Sequence, residues 1–91
     1  MNGFVEPPVY SAGSGSTGTV SCVFKPGSPT PVTDWYLDGG HVGTVPGTKT
    51  LVSLAGHHIT FSSGGVTFPS PPLAITLDQT HKAVTVSVYF A

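Results

Sequence analysis

Arginine is absent from this chain, and only three lysines, three aspartates and one glutamate carry a formal charge. Charged residues make up 8% of the sequence, against about 25% in ordinary soluble domains. Three scattered lysines neutralise very little phosphate, so no nucleic-acid partner is expected. Cys22 is the single cysteine, so no internal disulfide can form. No apolar run approaches the roughly 20 residues that a membrane helix needs, and no membrane insertion is expected. Met1 is followed by neither a basic segment nor an apolar one, so no secretory leader is expected. The chain then either stays inside the cell or leaves it by lysis or in a particle. Helical periodicity is missing too: no useful window places apolar residues at i, i+3 and i+4.

What the sequence does have is turn chemistry and alternation. Twelve glycines and nine prolines occur in 91 residues, a density that breaks the chain into short segments. The apolar fraction of 38% is nevertheless enough to argue against disorder. The stretch from Trp35 to Pro46 organises the rest. Three large apolar or aromatic residues, Trp35, Tyr36 and Leu37, run into Asp38-Gly39-Gly40. Asp-Gly supplies the positive φ angles of a tight hairpin, so two short strands should meet there.

Alternation marks further strands at Gly18–Phe24, Val32–Leu37, His41–Thr44, Thr48–Leu54, His57–Ser62, Val66–Phe68, Ala74–Leu77 and Ala83–Phe90. The inward sets are Val20, Cys22 and Phe24; Trp35 and Leu37; His57, Ile59 and Phe61; and Val84, Val86, Val88 and Phe90. Ser63-Gly64-Gly65 reads as a second hairpin, Asp78–His81 as a turn, and Pro69-Ser-Pro-Pro72 as a break. The fold class is all-β: a small antiparallel β-sandwich, immunoglobulin-like, with an extended N-terminal arm. Residues 1–17 form the arm and residues 18–91 the domain. Pro7-Pro8 keeps the arm extended, Gly13 to Thr17 has linker composition, and Phe4, Val5, Val9 and Tyr10 are its apolar contact points.

No catalytic constellation emerges. Serine, histidine and aspartate all occur, but in no motif that sets a nucleophile beside a base, so no catalytic residue is assigned and no enzymatic activity is expected. His57 and His58 are neighbours on a strand and point to opposite faces, so they cannot share an ion. Asp38 and His41 flank one turn and make half a metal site, short of the four ligands a structural zinc needs. Neither a metal nor a cofactor is expected. Cys22 reads as a small buried apolar residue. Trp35 reads as core; Tyr36 and Tyr89 lie opposite the apolar sets of their strands and are the candidate surface contacts.

Tyr36-Leu-Asp-Gly-Gly40, Val42-Gly-Thr-Val-Pro46 and Leu54-Ala-Gly-His-His-Ile59, with a closing alternating strand, resemble a PEGA-type domain over Gly18 to Phe90. That resemblance implies an immunoglobulin-like sandwich acting as an accessory module of the bacterial surface, with no catalytic residues. Three roles follow. The first is a structural protein that docks on a protein lattice or on neighbouring copies of itself, such as a phage virion decoration, with a homo-oligomer as one form of that assembly. The second is a PEGA-like module of the cell envelope or exterior that binds protein or glycan. The third is a carbohydrate-binding module with Trp35 or Tyr36 exposed.

Overall fold

Nine strands form: β1 (Gly3–Val5), β2 (Val9–Ser11), β3 (Gly18–Phe24), β4 (Asp34–Leu37), β5 (Gly40–Thr44), β6 (Gly47–Val52), β7 (Gly56–Ser63), β8 (Val66–Thr76) and β9 (Ala83–Phe90). The computed structural model describes residues 1–91 and contains no helix. A five-stranded sheet runs β1-β9-β3-β6, with β2 also on β9; a four-stranded sheet runs β5-β4-β7-β8. The two sheets enclose one core, which makes the fold all-β and sandwich-like.

The hairpins follow the turn residues. Asp38 and Gly39 adopt φ of 51° and 84° between β4 and β5, as a two-residue type I′ turn requires. Gly64 and Gly65, at 58° and 79°, do the same between β7 and β8. The Asp78 turn is closed by its own carboxylate, whose Oδ1 accepts from the Thr80 hydroxyl at 2.8 Å and the His81 amide at 2.8 Å.

Three expectations are corrected. Residues 1–17 are not a separate arm: β1 and β2 pair with β9 in register Phe4↔Tyr89 and Tyr10↔Val84, and complete the first sheet. Pro7-Pro8 interrupts the ladder between the two strands, where Glu6 N donates to the Ser87 carbonyl at 2.9 Å and residues 6–8 lie opposite only two residues of β9. The sandwich is not purely antiparallel, since β3 and β9 pair in parallel from Thr19↔Ala83 to Phe24↔Val88. The chain reverses at Ala12–Thr17 around the start of β9, so β2 and β3 flank that strand in opposite directions. Finally, Pro69–Pro72 does not end a strand. β8 runs through it as an edge strand, and the ladder skips it: Phe61 pairs with Phe68 and Ile59 with Leu73, so the prolines sit in a bulge that makes no pairs.

The core holds Trp35, Ile59, Phe61, Val20, Cys22, Val86 and Val88, all fully buried. Each such side chain contributes about 1.5–3 kcal/mol by leaving water. Phe24 is only half-buried and packs at the margin against Phe90, ring centroids 6.3 Å apart. Burial in this core pushes the Cys22 thiol up to about 12, which makes it inert. The Trp35 indole N–H has no acceptor. It lies against Gly47, where a Cβ would sit 3.1 Å from Trp35 Nε1 and 2.8 Å from the Thr44 carbonyl.

That contact yields a prediction. Gly47→Ala forces the corner after β5 away from the indole and should destabilise the fold by about 1–3 kcal/mol, as overpacked cores are destabilised. Urea unfolding followed by Trp35 fluorescence measures it; an unchanged midpoint would show the corner to be loose.

Candidate functional site

Two places gather the residues singled out above. The first is the outward face of the five-stranded sheet. Strand alternation sends Val84, Val86 and Val88 inward and Thr85, Ser87 and Tyr89 outward. The same rule divides the N-terminal residues. Phe4 pairs with Tyr89 and Val9 with Thr85, so both face outward, at 43% and 67% exposure. Val5 and Tyr10 pair with Val88 and Val84 and turn toward the core. The Tyr10 hydroxyl accepts a hydrogen bond from the Thr76 amide at 3.1 Å, which ties β2 to the opposite sheet. Val5 and Tyr10 thus hold the segment down, and Phe4 and Val9 are the residues it presents.

The Phe4 ring stacks on Tyr89 with centroids 5.2 Å apart and planes 21° from parallel. The Lys25 ammonium lies 4.9 Å from the centre of the Tyr89 ring and 2.8 Å from Glu6 Oε1. Glu6 raises the Lys25 pKa, chiefly through their hydrogen bond. Beyond this rim pair the face continues as Thr19, Ser21, Val23, Thr85 and Ser87, with Ser21 and Thr48 hydroxyls 3.0 Å apart. Apart from the Lys25–Glu6 pair these side chains are uncharged, with one aromatic pair.

Tyr36 is on the other sheet and does not join this group. Its ring sits 5.3 Å from His41, whose Nε2 is 3.0 Å from Asp34 Oδ1. His41 therefore pairs with Asp34, not with Asp38 as the turn spacing suggested. The β4–β5 register explains the exchange: Tyr36 faces His41 and Asp34 faces Thr44, so His41 reaches back along the outward face.

The second place is the corner where Asp38, Ser53 and His57 meet. His57 is 7% exposed on the core-facing side of β7. Its Nδ1 donates to Asp38 Oδ2 at 2.6 Å, and its Nε2 donates to the Ser53 carbonyl at 2.8 Å. Asp38 Oδ1 accepts from the His58 amide at 2.9 Å, and the Ser53 hydroxyl lies 3.1 Å from His57 Nε2. Serine, histidine and aspartate are thus in the order of a catalytic triad, but the protonation is wrong for one. A general base needs a free Nε2 lone pair. Here a backbone carbonyl, which can only accept, holds the Nε2 proton, while a carboxylate holds the other. When protonated, the ring donates to both acceptors and clips the β4–β5 turn to the β6–β7 connection.

Burial alone lowers the His57 pKa, but the bonds to Asp38 and the Ser53 carbonyl outweigh it and the net shift is upward. Asp38 is lowered, chiefly by its hydrogen bond with His57. Sequence reasoning placed His57 inward but missed both partners. An imidazole among Ile59 and Phe61 was the available signal, because a buried ring must find acceptors. No three or more His, Cys, Asp or Glu side chains are gathered as metal ligands. The one cavity, about 200 Å³, lies at the opposite pole between Asn2, Ser63, Val66, Phe68 and Phe90, far from this corner.

Comparison with known protein families, with curated proteins and with solved structures finds no match to this chain.

The corner sets a pH dependence. A raised His57 pKa adds stability that is complete below the ordinary value of 6.5 and is lost as pH rises through the higher folded value. A lowered Asp38 adds stability that is present above 3.8 and lost as pH falls through the lower folded value. Stability should therefore fall as pH rises above 6.5 on a chemical-denaturation series, and His57→Gln should flatten that slope. Asp38→Asn should cost about 1–2 kcal/mol at pH 6, toward the low end for a charged hydrogen bond because Asp38 is half exposed. A pH-independent wild type would contradict the clip.

Proposed function

We propose that this chain is a non-enzymatic structural protein, an immunoglobulin-like sandwich that docks on a larger assembly, in the first reading a phage virion that it decorates or cements. The single observation behind it is the sparsely charged outward face of the five-stranded sheet, where Phe4, Val9 and Tyr89 stand among threonine and serine hydroxyls beside the Lys25–Glu6 pair. Covering such a face strips water from few charges, so little desolvation penalty opposes the apolar gain. An aromatic pair at its margin is the kind of anchor that carries interface energy. The scarcity of charge elsewhere suits a chain surrounded by protein, since an isolated soluble domain relies on like charge to stay dispersed. The N-terminal segment belongs to this docking surface through its two outward residues.

A second reading, a PEGA-like envelope module that binds protein or glycan, is favoured by Tyr36, His41 and Asp34 on the other outward face. A ring beside an acid and an imidazole suits a sugar's apolar face and hydroxyls. The narrower carbohydrate-module reading is left with Tyr36 alone, because Trp35 is fully buried.

Fractionating the native source by size tests the first reading. The chain should travel with particles of megadalton size, and Phe4→Ser combined with Val9→Ser should release most of it, at least about tenfold, while lowering the unfolding free energy by no more than about 2 kcal/mol, the loss of the Phe4–Tyr89 stack included. Recovery of the unaltered chain as a free monomer would overturn that reading. Glycan binding that is lost with Tyr36→Ala would favour the second.

A further inference from the structure

We propose that residues 1–11 are an exchangeable strand, and that in the assembled state they pair with β9 of a neighbouring copy of this chain. The inference rests on the docking reading above and names the partner at that surface. β9 is bonded on one side by β3, and on the other side only by β1 and β2. The N-terminal segment is therefore the sole cover of one edge of the strand around which the first sheet is built. An open edge of this kind accepts a strand from any chain that fits it.

The fit is particular to this segment. A Cβ at Gly3 would lie 2.5 Å from the Phe68 ring, so only glycine seats there. Phe4 must meet Tyr89, Glu6 must meet Lys25, and the Tyr10 hydroxyl must meet the Thr76 amide. Those four contacts make the seat an address for residues 3–10 of this sequence, and the strand that satisfies it in trans is the same segment of a second copy.

The connection permits the exchange. Ala12 to Thr17 is exposed, and Gly13 and Gly15 hold φ of 67° and 82° in the reversal. Its hold on the body comes from Lys82, whose amide donates to the Ala12 carbonyl and whose ammonium donates to the Gly15 carbonyl. Extended, six residues reach about 20 Å, as far as the shortest dimension of the molecule, 20 Å. The seated contacts are identical within one chain and between two. The balance is then set by the hinge and by local concentration, and packed neighbours supply the millimolar range that an intrachain tether supplies.

The test uses Phe4→Cys with Tyr89→Cys, positions directly opposite on paired strands and within disulfide reach. Buried Cys22 stays out of the reaction. After oxidation, a non-reducing gel should show interchain dimers and ladders that rise about tenfold in fraction from ~10 µM to ~1 mM protein. A second variant, Gly13→Val with Gly15→Val, keeps the six-residue reach but strains the positive-φ reversal and should elute as a dimer. An oligomer or native particle in which every disulfide is intrachain would overturn the exchange and leave the docking reading standing. A strained-reversal variant that stays folded and monomeric would also overturn it. The docking reading fails separately, if the unaltered chain is recovered from its source as a free monomer.

Discussion

The five-stranded sheet depends on β9 being bonded along both edges, antiparallel to β1 and β2 on one side and parallel to β3 on the other. Val84, Val86, Val88 and Phe90 bring the apolar side of that sheet against Trp35, Ile59 and Phe61 of the other. This strand comes last in the chain, yet it lies between two segments from the first quarter of the sequence. Neither neighbour can complete its ladder until β9 arrives, so the sheet is assembled from contacts of very long sequence separation. Such pairing is slow and exposes strand edges while it waits. The proline pair in the first segment and the prolines of β8 keep those edges from offering long regular ladders.

Against this apolar framework, the few ionisable groups are used in pairs. Glu6 meets Lys25, Asp34 meets His41, and Asp38 meets His57. The first two are exposed and contribute little, as surface pairs do. The third differs because its imidazole is buried and both ring nitrogens are spent on fixed acceptors. Ser53 stands close enough to His57 to suggest chemistry, but its own carbonyl occupies the nitrogen that chemistry would need. The corner works as a clip between two turns, and its charge explains why a histidine occupies a core-facing position on β7.

The outward surfaces divide by sheet. One carries Phe4, Val9 and Tyr89 with hydroxyl side chains around them; the other carries Tyr36 with Asp34 and His41. The two tyrosines singled out as surface contacts therefore serve different faces, and a partner that covers one leaves the other open. Strand register alone produces that split, since each tyrosine follows the alternation of its own strand.

By itself the sequence determined the local features. Asp38-Gly39 and Gly64-Gly65 dictate hairpins because only such residues take two successive positive φ angles cheaply. Two-residue alternation in Ile59–Phe61 and Val84–Phe90 dictates which side chains are buried, because a strand's faces are set by its own period. Tertiary structure alone decided the rest. The parallel β3–β9 pair, the capture of residues 3–11 by β9, and the meeting of Asp38, Ser53 and His57 join residues far apart in the chain. No local preference encodes those choices. They follow from which strand edges and which buried hydrogen-bonding groups remain unsatisfied once the core has closed.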